Sequence, residues 1–384
     1  MRKRIEKLTA LVLALLALAA ALSGCGKTVP ADVVVDIDEP TATEQARVTR
    51  APEGGQTSAP SDEPFSPAPT EAYVNPPALM SKSGKYVTYD GTNVMRVDDR
   101  AFEMCVYLED VAKQYAGLIN DTAKALKGRT NVYSLIIPMS YGVMMPDDVR
   151  GKISFYIDME DCIDRTYAEM PDVTAVPVFR TMMMHRNEFI YFRTDHHWTA
   201  RGAHYAYQEF IKAAGKTPNQ LSAYREVSFG GFLGSLYKDS GKDPALSEEE
   251  TVYAYYPISE GVKMVIHSSN GNEFEYPIVT DVTNYSQSSK YDVFAGEDNP
   301  LTVFTNPSVT DGSVLIIVKE SFGNAMMAFL CDHYSTVYEI DYRYWKGNLV
   351  SFAKEVGASD LLFANNFMMI SSSSNVGKLS LIIK

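Results

Sequence analysis

Cysteine and tryptophan are scarce in this chain, whose 384 residues include four cysteines and two tryptophans. No Cys-x-x-Cys spacing occurs, so the sequence contains no cysteine-based zinc or dithiol redox motif. Apart from Cys25, the cysteines are Cys105, Cys162 and Cys331, each in an apolar or helical context, and at most one pair of them could form a disulfide. We interpret all three as buried free thiols.

Clusters of basic residues are also missing beyond the first seven residues. The chain has 35 lysines and arginines against 48 aspartates and glutamates, a formal net charge of -13. Proteins that bind nucleic acid present a concentrated positive surface. We therefore expect no nucleic-acid partner, and we expect no cofactor.

The first residues have the pattern of a secretory signal peptide. Basic residues precede an apolar run from Leu8 to Leu22, which is too short to span a membrane comfortably. The run closes with Leu22-Ser23-Gly24-Cys25, which resembles a bacterial lipobox and implies cleavage before Cys25 and lipid attachment to its thiol. We predict a signal peptide over residues 1–24 and a protein lipid-anchored on the extracytoplasmic face of the bacterial cell membrane.

After the lipidated cysteine, residues 25–85 are rich in Pro, Ala, Glu, Thr and Ser and contain few large apolar side chains. Such a segment cannot bury a core, and we predict a disordered tether. Residues 86–384 are long enough for one domain. Within them, residues from about 228 to 305 contain short alternating runs, and we predict a β-rich insertion of antiparallel strands over Tyr253–Tyr256, Lys263–Ile266 and Glu273–Val279.

Strand-length apolar runs predict a parallel sheet in the rest of the domain. They cover residues 132–137, 314–318, 336–340 and 361–364, and helical patterns over 324–331 and 348–356 separate the last three. This alternation is typical of right-handed crossovers between parallel strands. Upstream of them, we predict a hairpin over 87–97 and a helix over 100–127.

The segment Thr194-Asp195-His196-His197-Trp198-Thr199 contains residue types that core packing does not require. A carboxylate beside an imidazole is the orienting half of a Ser-His-Asp device. If the segment is extended, Asp195 and His197 share one face and His196 points the opposite way. Thr199 can cap a helix that starts near Ala200.

Ser321 is the candidate for the missing serine, because the apolar run 314–318 ends at Lys319-Glu320-Ser321 and a helical pattern follows. In open parallel sheets, functional groups gather beyond the carboxyl ends of the strands, and Asp341 and Asn365 also follow predicted strands. A serine in this position is often only a helix cap. The Asp195–His197 pair favours the catalytic interpretation.

Several neighbours are candidates for binding substrate or a developing oxyanion. Gly323 and Asn324 follow the serine and could ease the turn and donate a hydrogen bond. His196 and Trp198 flank His197, and Trp198 is either a packing residue or a platform for a sugar ring. Further N–H donors, or mere turn residues, are Gly230, Gly231, Gly234 and Ser235.

The histidines allow two alternative interpretations. A buried structural histidine beside an aspartate is common. A metal site would combine His197 and His204 with Asp195 or His185. That spacing matches no established zinc motif, so we expect no metal.

Together with Lys319–Asn324 and Asp341–Trp345, the motif Asp195–Trp198 resembles the bacterial DHHW protein family, which is similar to the SGNH-hydrolase-like acetyltransferases of alginate biosynthesis. The resemblance extends from about Tyr86 to the C-terminus. It implies an SGNH-hydrolase-like, flavodoxin-like three-layer α/β/α fold with a parallel central sheet.

The resemblance also implies roles for three residues: Asp195 orients, His197 acts as general base and acid, and Ser321 is the nucleophile. The sequence departs from the usual Gly-Asp-Ser block of SGNH esterases, because Lys319 and Glu320 precede the serine. Without that glycine, the oxyanion hole of this family would have to be built differently.

We therefore expect a lipid-anchored O-acetyltransferase or esterase that acts on a cell-envelope or secreted polysaccharide. A membrane-embedded partner would have to deliver the acyl group, because the usual cytosolic donors do not cross the membrane. The alternatives are a catalytically degenerate carbohydrate-binding or assembly lipoprotein of the cell surface and, third, a metal hydrolase.

Overall fold

The computed structural model describes residues 75–383, so the predicted signal peptide, Cys25 and most of the predicted tether lie outside the described residues. The strands, numbered in chain order, are β1 Val87–Thr88, β2 Val94–Val97, β3 Arg100–Glu103, β4 Asn131–Ile137, β5 Thr174–Ala175, β6 Arg225–Phe232, β7 Glu250–Tyr256, β8 Lys263–His267, β9 Glu273–Glu275, β10 Leu301–Thr305, β11 Val314–Lys319, β12 Thr336–Asp341 and β13 Asp360–Asn366.

The α-helices of the described chain are α1 Glu109–Leu126, α2 Ser140–Val143, α3 Asp147–Arg150, α4 Met159–Ala168, α5 Phe179–Met184, α6 Ala200–Ala213, α7 Ser235–Asp239, α8 Ser321–Asn324, α9 Met327–Leu330, α10 Leu349–Glu355, α11 Phe367–Ile370 and α12 Ser373–Ile383. Short 3-10 helices cover Leu221–Ala223, Pro244–Leu246 and Gln287–Val293. None of these helices is long and apolar enough to cross a membrane.

The central feature is a mixed sheet in the order β5-β4-β13-β11-β12-β10-β8-β9. Strands β5, β4, β13, β11 and β12 pair in parallel. Strands β4, β11 and β13 are buried along almost their whole length, as expected for parallel strands covered on both faces. The predicted parallel sheet is therefore confirmed for its four main strands.

The predicted β-rich insertion is not a separate lobe. Strands β10, β8 and β9 continue the central sheet beyond β12 in antiparallel pairing, while β6 and β7 form their own two-stranded sheet. The physical reason is that β12 would otherwise present an unpaired row of backbone N–H and C=O groups. The sequence alternation predicted β7, β8 and β9 but neither β6 nor β10, and the free edge of β12 explains why β10, β8 and β9 pair there.

Local structure upstream of the sheet agrees only in part with expectation. The hairpin is present as β1 and β2. The predicted helix over 100–127 begins only at Glu109, because Arg100–Glu103 forms β3 and pairs with β2.

Further along the chain, the helix predicted over 324–331 is divided into α8 and α9. Cys105, Cys162 and Cys331 are buried free thiols, as predicted.

Part of the segment assigned to the tether contacts the domain. The Leu79 N–H donates to Asp147 Oδ2 at 3.0 Å, and the Ser81 hydroxyl donates to Asp148 Oδ2 at 2.7 Å. Both carboxylates belong to α3. These bonds attach the residues just before β1 to helix α3.

Helix α6 leaves no room for a side chain at Gly202. A Cβ at Gly202 would lie under 3.0 Å from the backbone carbonyl oxygen of Ile190, whereas a Cβ at Gly117 of α1 would meet nothing within 4 Å. We expect Gly202→Ala to destabilise the protein by about 1–3 kcal/mol through steric overlap. Gly117→Ala is the matched control and should stabilise by about 0.5–1 kcal/mol. Urea unfolding of both variants measures this, and equal midpoints would contradict the packing described here.

Candidate active site

The loop that carries Asp195 and His197 is bent. It lies between Tyr191 and Trp198, which pair in an isolated antiparallel bridge. The buried carboxylate of Glu250, the first residue of β7, accepts hydrogen bonds from the Thr194 N–H at 2.9 Å and from the Thr194 hydroxyl at 2.6 Å. Glu250 thus holds the backbone immediately before Asp195 in place.

Ser321, His197 and Asp195 form a continuous hydrogen-bonded chain. The Ser321 hydroxyl lies 2.7 Å from His197 Nε2, and His197 Nδ1 lies 2.7 Å from Asp195 Oδ1. Ser321 is the first residue of α8, and only Glu320 separates it from the end of β11. The arrangement allows His197 to accept the serine proton while Asp195 holds the imidazole in the required tautomer.

Burial and charge act in opposite directions on this pair. Burial alone would raise the pKa of Asp195, but the charges of His196 and His197 and hydrogen bonds to the carboxylate hold that pKa well below its usual value. Burial, together with the charge of His196, lowers the pKa of His197 from 6.5 to about 4, against the opposing charge of Asp195. At neutral pH the carboxylate is therefore ionised and the imidazole is a free base.

Trp198 joins the histidine loop to the serine turn. Its Nε1–H donates to the Phe322 carbonyl oxygen at 2.9 Å, and its side chain is fully buried. A platform for a sugar ring must be accessible, so the interpretation of Trp198 as such a platform is wrong. The hydrogen bond instead holds the loop of His197 next to the turn of Ser321.

Ser235 lies behind Asp195. Its backbone N–H donates to Asp195 Oδ2 at 2.8 Å, and its hydroxyl donates to the same oxygen at 3.1 Å. That N–H is therefore occupied, and the expectation that Ser235 serves an oxyanion is not met by this geometry. Gly234 permits the approach, since a Cβ there would lie under 3.0 Å from the Asp195 side chain. Gly230 and Gly231 lie on β6.

Tyr291 was not anticipated from the sequence. Its ring stacks on the His197 imidazole with centroids 3.9 Å apart and an interplanar angle of 11°. Its hydroxyl donates to the Ser321 carbonyl oxygen at 3.4 Å. Tyr291 belongs to the 3-10 helix within the predicted insertion, 30 residues from Ser321, and no local sequence signal marks it.

Gly323 and Asn324 serve the structure of the turn. The Gly323 N–H donates to the Glu320 carbonyl oxygen at 2.8 Å. The Asn324 side-chain amide donates to Asp298 at 3.2 Å, and its oxygen accepts from Lys319. These groups are engaged, so neither is a free donor for an oxyanion. The first backbone N–H groups of a helix have no intrahelical acceptor, which makes those of Ser321 and Phe322 the better candidates.

The two residues that depart from the Gly-Asp-Ser block are both buried and partnered. Lys319 is fully buried, with its ammonium 3.3 Å from Glu339, 3.4 Å from Asp298 and 3.9 Å from Asp341. Arg343 pairs with Asp298 at 2.7 Å and with Asp341 at 2.6 Å. A lysine at the end of an apolar strand was the one sequence signal for this ion cluster.

Glu320 anchors the same turn on its other side. Its carboxylate accepts hydrogen bonds from the Asn365 side chain at 2.9 Å and from the Asn366 N–H at 2.6 Å. Burial raises its pKa to about 7, although both hydrogen bonds oppose that rise. Asn365 therefore lies at the predicted edge of the sheet, and its role there is to bind Glu320, the residue before Ser321.

His196 does not point away from His197. The bend brings the two rings to a centroid distance of 3.9 Å, so the expectation based on an extended segment is wrong for this residue. Ligand atoms of Asp195, His196 and His197 lie within 4.8 Å of one another. His204 instead bonds to the Asn219 carbonyl oxygen and His185 to Glu188, so the predicted alternative metal set is not assembled.

A family model described as DHHW protein matches residues 69–340, which is more than half of the chain. The chain belongs to the DHHW family. A search of curated proteins finds no match.

Among solved structures, this DHHW protein is similar to a DHHW family protein from Eubacterium siraeum, with 24% identity and a TM-score of 0.70 over 80% of this chain and 100% of the other. It is also similar to Bacillus cereus PatB1 with a sulfonyl adduct, with 15% identity and a TM-score of 0.60 over 76% and 98% of the two chains. The O-acetyltransferase domain of Pseudomonas putida AlgJ matches with 12% identity and a TM-score of 0.39 over 79% and 98%.

The buried ion cluster around Lys319 should contribute to the stability of this DHHW protein. Lys319→Met keeps the side-chain length but leaves the carboxylates Asp298, Glu339 and Asp341 short of their buried cation. We expect a loss of about 3–5 kcal/mol in the free energy of unfolding. Lys354→Met, at an exposed position of α10, is the matched control and should change stability by less than about 0.5 kcal/mol. Denaturant unfolding checks both, and a Lys319→Met protein as stable as the parent would contradict the cluster's role.

Proposed function

We propose that this chain is an extracytoplasmic O-acyltransferase or esterase that uses Ser321, His197 and Asp195 on acetyl groups of a cell-envelope or secreted polysaccharide. The observation that supports it most directly is the hydrogen-bonded chain with both links at 2.7 Å. The resemblance of the Asp195–Trp198 motif to that of the alginate acetyltransferases supports the substrate class.

The proposed reaction has two halves. In the first, Ser321 Oγ attacks the carbonyl carbon of the acyl donor, His197 Nε2 takes the hydroxyl proton, and the donor alcohol leaves with that proton. In the second, a sugar hydroxyl or water attacks the acyl-serine, and its proton returns through His197 to Ser321 Oγ. Asp195 stays ionised throughout and stabilises the imidazolium.

The fold and location form part of the proposal. We infer an SGNH-hydrolase-like three-layer α/β/α organisation, supported by α1 packing against α10 and α12 and by α6 packing separately against α5 and α9. Lipid attachment at Cys25 is supported by the signal-like N-terminal sequence. An extracytoplasmic location would in turn require a membrane-embedded partner that delivers acyl groups, because the usual cytosolic donors do not cross the membrane.

Trapping the nucleophile tests the proposed function. With phenylmethylsulfonyl fluoride and with 4-nitrophenyl acetate, we expect a covalent adduct on Ser321 in the parent and none in Ser321→Ala. Asp195→Asn should lower turnover by about 10⁴-fold, because the imidazole loses the partner that fixes its tautomer. Ser228→Ala, at an exposed serine of β6, is the control and should react like the parent. Mass spectrometry locates the adduct, and equal labelling of Ser321→Ala would overturn the proposal.

The acylation rate should depend on pH through the protonation of His197. His197 works as a base only when deprotonated, and its pKa lies below 6.5, at about 4. Lowering the pH from 7 through 6.5 should therefore leave the base form intact, and acylation should fall only as the pH drops through about 4. Stopped-flow acylation rates between pH 3.5 and 8 measure this. An acid limb near 7 would show that the charge of Asp195 outweighs burial at this imidazole.

A further inference from the structure

The Asp195 carboxylate supports two histidines. Through Oδ1 it binds His197 directly, and through Oδ2 it accepts the Ser235 hydroxyl at 3.1 Å. The same hydroxyl oxygen lies 2.7 Å from Nδ1 of His196. Asp195 therefore orients His197 in one step and His196 in two.

Proton counting assigns the tautomer of His196. A hydroxyl group has one proton, and an ionised carboxylate oxygen can only accept. The Ser235 proton therefore points to Asp195 Oδ2, which leaves Ser235 Oγ to accept from His196 Nδ1–H. In neutral His196, the proton is then on Nδ1 and the lone pair is on Nε2.

The ring of His196 is more exposed to solvent than that of His197. The side chain of His196 is 30% exposed, against 9% for His197 and 6% for Asp195. Nε2 of His196 has no hydrogen-bond partner among residues 75–383. A half-exposed imidazole with one nitrogen anchored and the other an unpartnered acceptor is suited to bind a hydroxyl group.

We propose that His196 Nε2 accepts a hydrogen bond from a second hydroxyl of the acyl acceptor, next to the hydroxyl that attacks acyl-Ser321. This inference rests on the proposed function. The two imidazole rings are neighbours, with centroids 3.9 Å apart, so a hydroxyl held at each ring belongs to adjacent positions of one acceptor, as on a sugar ring. The preferred acceptor is therefore a vicinal diol.

The two imidazoles then have separate tasks. The attacking hydroxyl forms a bond from its oxygen to the acyl carbon and gives its proton to His197, which passes it to Ser321 Oγ as the acyl–serine bond breaks. The adjacent hydroxyl keeps its proton and is held by His196. Water has no second hydroxyl, so His196 favours transfer to the diol over hydrolysis.

The experiment measures how the acyl group is partitioned. With 4-nitrophenyl acetate as donor, acetylated acceptor and free acetate are quantified for a methyl hexopyranoside and for its analogue lacking one hydroxyl of the vicinal pair. The parent should acetylate the diol in preference to the deoxy analogue. His196→Phe should lower the fraction transferred to the diol by about tenfold, the effect of losing one hydrogen bond, while the nitrophenolate burst stays within a few-fold of the parent.

Two further variants separate recognition from structure. His196→Gln retains a side-chain acceptor and should restore part of the transfer. His267→Phe is the matched control, because His267, the last residue of β8, is also a half-exposed histidine and pairs with Glu273 of β9. It should leave partitioning unchanged.

Several outcomes would overturn the inference. One is unchanged partitioning in His196→Phe, and another is a burst that falls as much as transfer does, which would show that His196 only supports the His197 geometry. A parent that acylates Ser321 but never prefers the diol would overturn this inference alone. A parent with no acyl-enzyme would overturn the proposed function as well.

Discussion

The buried carboxylate of Asp195 is the interaction on which the site depends. It accepts four hydrogen bonds, from the ring and the backbone N–H of His197 and from the backbone N–H and hydroxyl of Ser235. A buried carboxylate is costly unless it is paired and fully hydrogen-bonded, and here both of its oxygens are engaged. The same bonds join the histidine loop to the start of α7, so the charge that orients the imidazole also determines the shape of the loop.

A second buried charge, that of Lys319, stabilises the turn that carries Ser321. Lys319 is the last residue of β11, two positions before Ser321, and its ammonium is surrounded by the carboxylates of Asp298, Glu339 and Asp341. Such clusters contribute little net stability compared with apolar packing, but breaking one partner is costly. We interpret the cluster as a device that gives the turn at Ser321 a single geometry.

Residues from the predicted β-rich insertion complete the site. Ser235 binds Asp195, Tyr291 covers the His197 ring, and Asp298 joins Lys319 to Asn324. Strand β10 pairs antiparallel with β12, with Leu301 opposite Ile340, so the segment that leads into β10 lies beside the carboxyl end of β12. The candidate active site is therefore formed between the parallel strands and the segment that follows α6.

The main parallel strands could be predicted from the sequence, because their unbroken apolar runs match strands buried on both faces. Helix α6 could be predicted from its Thr199 cap. The three candidates of the hydrogen-bonded chain could be predicted as well, since an acid next to an imidazole and a serine after a buried strand are local patterns. The burial of Trp198, the turn of His196 toward His197, and the positions of Ser235 and Tyr291 beside this pair depend on how the chain packs. The physical reason is that these contacts join residues from separate elements. Which distant elements meet depends on the strand edges that must be paired and the faces that must be buried together, and no local pattern specifies this.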